Sequence, residues 1–212
     1  MNSKSWQKGR AETWAGLWNE FGFKRGAEVG VWRGEFAKVV LEKEKTLQEY
    51  ILVDPWKHLA DWKKPFNVPD EEFKGIFDTA MANTLHGPYG YKVKVIRALS
   101  EDGARQIANA SLDYVYIDGD HTLKGAMKDL QNWAPKVKAG GLVCGDDYKD
   151  SMQHGAAYAP TGVKTAVASY ARSIGAAVHD LGAAQFAFQM TESSKIGSTA
   201  VSTGSTATGT EH

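Results

Sequence analysis

The sequence predicts an α/β fold, an open doubly wound sheet with helices on both faces. Three observations predict it. Short strand-like apolar runs alternate with stretches of helical periodicity along most of the chain. Some of those runs are almost uninterrupted in their hydrophobicity, as strands covered on both faces must be. Three of them stop abruptly at acids, Asp54, Asp118-Gly119-Asp120-His121 and Asp146-Asp147. In open α/β sheets ligands bind just beyond the carboxyl ends of the strands.

The elements follow in order. Trp6, Trp14, Leu17, Trp18 and Phe21 recur at roughly helical spacing within residues 1–24. They predict an amphipathic helix that packs on the domain or lids a cofactor with aromatic surface. The same aromatic residues would suit a partner subunit, so a homo-oligomer is an open alternative. Ala27 to Val31 reads as the first strand, and Trp32 to Phe36 lead into a helix that runs to about Lys45. Gly30 and Gly34 fall in the strand-to-helix turn, where a missing side chain lets a ligand approach the backbone and the helix amides. The pattern is E-x-G-x-x-x-G, not the G-x-G-x-x-G of dinucleotide folds. Tyr50 to Val53 is the second strand and ends at Asp54. An acid about twenty residues past the glycine turn suits the two hydroxyls of a ribose, and Trp56 is placed to stack near the adenosine.

Lys57 to Asn67 is a polar loop containing Pro65. Asp70 to Leu85 is a helix with Phe73, Ile76, Phe77, Ala80, Met81 and Leu85 on one face. Lys92 to Ile96 is the third strand. Ser100 opens the next helix as its N-cap, and Ser100 with the acids beside it could also meet an adenine. Leu112 to Ile117 is the fourth strand. Asp120 or Thr122 can cap the helix from Thr122 to Trp133, whose Leu123, Met127, Leu130 and Trp133 point inward. Capping does not account for all of Asp118, Asp120 and His121. Ala139 to Gly145 form a turn and the fifth strand. Ser151 to Gly162, with His154 and Tyr158, has the composition of a mobile active-site loop. Val163 to Ile174 is a helix, and Ala176 to Leu181 with Gln185 to Met190 a closing antiparallel hairpin. Residues 1–192 thus read as a single domain. The Ser/Thr/Gly-rich residues 193–212 read as a disordered tail.

The totals narrow the function. The 212 residues carry 25 Lys and Arg against 25 Asp and Glu. A net charge of zero argues against a dedicated nucleic-acid binder and, more weakly, against a membrane-surface protein. A single cysteine, Cys144, excludes an intrachain disulfide and fits a reducing compartment. Its apolar setting makes it a core residue. The N-terminal stretch lacks the apolar centre of a signal peptide, and no span approaches transmembrane length. A cytoplasmic protein is the expectation.

Asp118, Asp146 and Asp147 come from strand ends that a doubly wound sheet would set side by side. Crowded carboxylates need a counter-charge, and no excess of basic residues surrounds them in sequence. Hard oxygen donors suit Mg²⁺ or another divalent cation, so a metal is expected there in preference to a set of caps.

These residues carry a resemblance. Glu28-Val29-Gly30 with Gly34, Asp54, Asp118-Gly119-Asp120-His121, and Gly140-Gly141 with Asp146-Asp147-Tyr148 resemble the class I S-adenosylmethionine-dependent methyltransferases. More narrowly, they resemble the metal-dependent O-methyltransferases of macrolide-sugar and catechol type. The likeness spans about Ala27 to Met190. It implies a Rossmann-like seven-stranded sheet, mostly parallel with the last strand antiparallel. It implies that Glu28, Gly30 and Gly34 hold the amino-acid part of S-adenosylmethionine and Asp54 its ribose. Trp56, Ser100 and Asp118 would complete the cofactor site. Asp118, Asp146 and Asp147 would bind Mg²⁺, Asp120 would be the general base, and His121 a second candidate. The acceptor would be a hydroxylated small molecule, a sugar being one option. Methyl transfer from a sulfonium is an in-line displacement, so the protein must position the acceptor and take its proton. Three rival readings stay open: an NAD-linked oxidoreductase, a non-catalytic nucleoside-binding module, and a metal-independent methyltransferase acting on nitrogen or on a protein.

Overall fold

The computed structural model describes residues 3–62, 66–151 and 160–192, with side chains from residue 9 onward. The Trp6 side chain, Pro65, His154, Tyr158 and the segment from Ser193 lie outside the described residues. The chain opens with α1 (Ser3–Phe21), β1 (Arg25–Val29), α2 (Glu35–Lys43) and β2 (Glu49–Asp54). It continues with α3 (Asp70–Asn83), β3 (Val93–Arg97), α4 (Ser100–Arg105), β4 (Leu112–Ile117) and α5 (Leu123–Trp133). It ends with β5 (Val137–Gly145), a two-stranded ribbon of β6 (Asp150–Ser151) and β7 (Thr161–Gly162), α6 (Val163–Ser173), and the hairpin β8 (Val178–Asp180) and β9 (Phe186–Gln189).

Seven strands form one sheet in the order β3-β2-β1-β4-β5-β9-β8. Strands β1 to β5 run parallel to one another, while β9 lies antiparallel to both β5 and β8. The expected mostly parallel sheet with a reversed last strand is therefore what forms. Chain order reverses between β1 and β4. That is the switch point at which helices leave to opposite faces and open a crevice at the strand ends.

Alternation along each strand sorts side chains onto two faces. Ala27, Val29, Ile51, Val53, Val115 and Val143 meet Leu130 and Trp133 of α5 and Val167 of α6. Tyr50, Leu52, Tyr114 and Tyr116 meet Trp14 and Trp18 of α1 and the apolar sides of α2 and α3. Trp18 stacks on Tyr114 with ring centroids 3.8 Å apart. Burying one such side chain contributes roughly 1.5–3 kcal/mol. The N-terminal helix is thus a packed part of the domain, and its stripe Ala11, Trp14, Ala15, Trp18 is buried while Phe21 is half exposed. The buried phenols keep their hydroxyls satisfied: Tyr50 donates to Glu28 at 2.8 Å and Tyr114 to Glu44 at 2.6 Å. Cys144 is free and buried, and burial pushes its thiol pKa up.

Some sequence expectations need correction. Gly140-Gly141 is not a turn before β5 but lies inside it, opposite the register shift between Leu112 and Tyr114. A Cβ on Gly141 would lie 2.4 Å from the Asp113 carbonyl, so this irregularity needs glycine. Leu85 falls beyond the end of α3, and Leu123 occupies the first position of α5. Both are partly exposed and outside the core. The residue at the N-cap of α4 is Leu99, not Ser100. Among the described residues, no helix is long and apolar enough to cross a membrane.

Candidate functional site at the β1–β4 switch point

The site begins with the turn after β1. Gly30, Trp32 and Gly34 all have positive φ, at 89°, 54° and 71°. At Gly30 this is compounded by contact, since a Cβ there would stand 2.1 Å from the Asp118 carbonyl oxygen. Glycine at this point lets the end of β1 pack directly on the backbone that leaves β4. A left-handed tryptophan is costly and persists only where its surroundings enforce it. Here Asp54 enforces it. Asp54 Oδ2 accepts the amides of Val31 (3.0 Å) and Trp32 (3.1 Å), and Oδ1 accepts the amide of Trp56 (2.8 Å). Burial raises the Asp54 pKa, and these amide bonds work against the rise. Three of the roughly four lone-pair directions of the carboxylate are thereby used. The remainder suits a hydroxyl donor such as a ribose.

Glu28 lies beneath the turn, only 2% exposed, with its carboxyl bonded to Tyr50. Burial pushes its pKa up to about 8. Trp56 is corrected more sharply. It was expected to stack on an adenosine, but it is fully buried, edge-on to Phe77, with its indole N–H on the Trp32 carbonyl at 2.8 Å. It underpins the turn from the core side. Ser100 donates to Asp129 Oδ1 at 2.5 Å and accepts from Trp133 Nε1 at 2.9 Å, tying α4 to α5.

The loop after β4 separates its three polar residues. Thr122 is the N-cap of α5 and accepts the Gly125 amide at 3.0 Å. Asp120 accepts the Thr122 amide at 3.0 Å and its hydroxyl at 3.1 Å. The capping anticipated for Asp120 or Thr122 thus falls to Thr122, and Asp120 braces the cap residue. Asp120 also lines a small cavity, together with Gly119, His121, Asp146, Val163 and Phe186. His121 bridges the two acid clusters, Nε2 to Asp118 at 3.2 Å and Nδ1 to Asp147 at 2.9 Å. Burial works against its charge, but the two carboxylates outweigh burial and raise its pKa to about 9. His121 is therefore an imidazolium at neutral pH. The same imidazole bond, with Lys149, holds Asp147 well below the usual carboxylate range.

The strand-end acids Asp118, Asp146 and Asp147 do come together, as expected. What meets them was not expected. Asp118 faces His121 through Oδ1 and Arg10 Nη2 through Oδ2 at 3.3 Å. Asp146 takes the Gln185 amide on Oδ1 and Arg10 Nη1 on Oδ2. Asp147 takes Lys149 on Oδ1 at 2.8 Å and His121 on Oδ2. Each of the six carboxylate oxygens thus faces a protein cation or N–H donor. Mg²⁺ requires near-octahedral oxygen donors at about 2.0–2.1 Å. Donors already turned to guanidinium, imidazolium and ammonium do not fit it, and among the described residues no group of three or more His, Cys, Asp or Glu is placed to hold a metal.

Arg10, Gln185 and Asp129 escaped the sequence reading. Gln185 accepts from both Trp14 Nε1 and Tyr116 OH at 2.8 Å while donating to Asp146. It therefore links α1 to the acids. A signal for Arg10 exists: Arg10, Trp14 and Trp18 are four residues apart in turn, so the arginine sits on the apolar stripe of its helix. Gln185 and Asp129 have no comparable signal.

A family model described as a methyltransferase domain matches residues 27–148, the stretch from β1 through the second acid cluster. Among solved structures, the O-methyltransferase NovP is 15% identical, covering 87% of this chain and 79% of its own, with a TM-score of 0.59. Cofactor-bound Rv0187 from MTB is 14% identical over 85% of this chain and 78% of its own, with a TM-score of 0.57. An O-methyltransferase family protein from Burkholderia thailandensis is 15% identical over 89% of this chain and 58% of its own, with a TM-score of 0.56. At such identities the likeness is one of fold. No protein among the curated ones matches the chain.

Proposed function

The chain belongs to the methyltransferase-domain family, and from that premise we propose that it moves a methyl group from S-adenosylmethionine to a hydroxyl of a small molecule. The observation that carries this reading is the convergence at one switch point of the Gly30 turn, Asp54 and the Asp118-Gly119-Asp120-His121 loop. Bound there, S-adenosylmethionine supplies an electrophilic methyl and a neutral thioether leaving group.

The chain's own residues supply the rest. The turn from Gly30 to Gly34 lets the amino-acid part of the donor approach the backbone, and the first turn of the helix behind it presents amides to that part. Asp54, already rigid on three amides, accepts from the ribose with its remaining lone pair. Ser100, which ties α4 to α5, is assigned to the adenine side of the donor. Glu28 acts from beneath the turn, and Asp118 ends the neighbouring strand. A protonated alcohol is a weak nucleophile, so a carboxylate must take its proton as the oxygen–carbon bond forms and the carbon–sulfur bond breaks. Asp120 is assigned that role: it borders the cavity, and its two bonds to Thr122 orient it. His121 is a weaker choice because its proton is already held by two acids. A divalent ion forms no part of this reading, because the three carboxylates expected to bind it fail as a donor set. A sugar remains one candidate within the hydroxylated acceptors.

The test uses methyl-labelled S-adenosylmethionine with a panel of hydroxylated small molecules and their amine counterparts, alongside calorimetric binding of S-adenosylhomocysteine. Labelled ether product and micromolar binding are expected. Label on amines alone would overturn the hydroxyl acceptor, and absence of S-adenosylhomocysteine binding would overturn the whole reading.

A further inference from the structure

A cluster of acids at two strand ends must be neutralised by something, and here one counter-charge arrives from the first helix. The Arg10 side chain is 4% exposed and spans two strands, with Nη2 on Asp118 and Nη1 on Asp146. Its guanidinium carbon also lies 5.1 Å from the Phe36 ring centre and 5.7 Å from that of Tyr116, both within cation–π range. One helical turn further on, Trp14 bonds Gln185, and Gln185 bonds Asp146. The helix is thus anchored to Asp146 twice, once through charge and once through a neutral relay. Arginine cannot shed its proton in a protein, and its planar fork matches paired carboxylates. A mobile cation entering between Asp118 and Asp146 would have to expel a buried guanidinium from two carboxylates and two rings.

We propose that Arg10 is the resident cation of the β4–β5 acid cluster, a positioning residue that holds Asp118 and Asp146 together and excludes a divalent ion from between them. The inference rests on the site's own carboxylates and not on the identity of the methyl acceptor. It gives α1 a definite part in the site: the helix contributes the charge that sets the arrangement of the strand ends.

The probe is Mn²⁺ binding to the full chain, followed by electron paramagnetic resonance of the free ion. The proteins compared are the wild type, Arg10→Met, Arg10→Lys, and Arg10→Met combined with Asp118→Asn. Arg10→Met should bind Mn²⁺ about tenfold or more tightly than the wild type, the scale on which partners of a ligating carboxylate act. Arg10→Lys should stay close to the wild type, because a cation is restored. Asp118→Asn in the Met background should abolish the gain and so locate the ion. A wild type that binds Mn²⁺ as tightly as Arg10→Met overturns the proposal, as does a folded Arg10→Met that gains no site. Should Arg10→Met fail to fold, Arg10→Gln, which keeps polar reach without charge, carries the same expectations. Loss of helix packing alone would create no metal site. S-adenosylhomocysteine titrated into the same samples reports the cofactor reading separately, so the two can fail independently.

Discussion

Asp54 and the trio Asp118, Asp146 and Asp147 all sit at strand ends, yet they are neutralised in different ways. Asp54 is held by backbone amides from its own turn and the turn beside it. The trio is held by side-chain cations from α1 and from the loops after β4 and β5. Amides have fixed direction and cannot titrate, so they hold the carboxylate rigid for a ligand and oppose the burial that raises its pKa. Side-chain cations can be exchanged and, at His121, deprotonated, so a cation-held carboxylate depends on which cation is present and, for Asp118 and Asp147, on pH. Whether a strand-end acid acts as ligand clamp or as counter-ion is therefore decided by what supplies its positive partner.

The contrast can be broken in order of size. Asp120, which accepts the amide and hydroxyl of Thr122 beside the cavity, is the carboxylate assigned to proton transfer. Asp120→Asn should lower kcat by about 10²- to 10⁴-fold with S-adenosylhomocysteine affinity unchanged by calorimetry. A near-normal kcat would remove Asp120 from the chemistry. Next, Asp54→Asn replaces a charged acceptor and points an N–H towards amides that need an acceptor. A hydrogen bond to a charged group is worth roughly 1.5–3 kcal/mol, so S-adenosylhomocysteine affinity should fall about 10- to 100-fold. Unchanged affinity would take the ribose away from Asp54.

The third effect is the pH dependence of stability. His121 has its folded pKa raised to about 9 from an ordinary 6.5. Its contribution is therefore complete below about pH 6.5 and is lost as pH rises through 9, and it amounts to no more than about 3 kcal/mol. Glu28 and Glu44, both raised to about 8 by burial, bind protons more tightly when folded. Their contributions are complete below about pH 4.5 and are lost on the way to pH 8. All three act in one direction, so urea-denaturation stability should decline from mildly acidic pH to pH 9. In His121→Gln the decline should stop near pH 8. A decline that continues unchanged in that variant would show that the bridge between the acid clusters contributes nothing. The smallest effect is local: Thr122→Ala removes the α5 cap and should cost about 1 kcal/mol in the same assay. A loss near zero would mean that Asp120 alone holds that helix end.

Much of this was legible before any coordinates. Strand runs, helix periodicity, the glycine turn and the acids that end β2, β4 and β5 are local patterns, and local chemistry produces them. Gly30 had to be glycine, and Asp54, Asp118, Asp146 and Asp147 had to fall at strand ends. Trp56 was misread because its sequence position showed only that it follows Asp54, while a left-handed backbone at φ 40° accompanies an indole that lies in the core. The protein counter-charges of the acids were missed for a related reason. Counting basic neighbours along the chain cannot reveal Arg10, which reaches the acids from the opposite end of the sequence because α1 folds across the sheet. By itself, then, the sequence determined the α/β order of elements and placed the acids at the crevice. Only the tertiary structure decided their counter-charges, because Coulombic partners are chosen by distance in space and not along the chain.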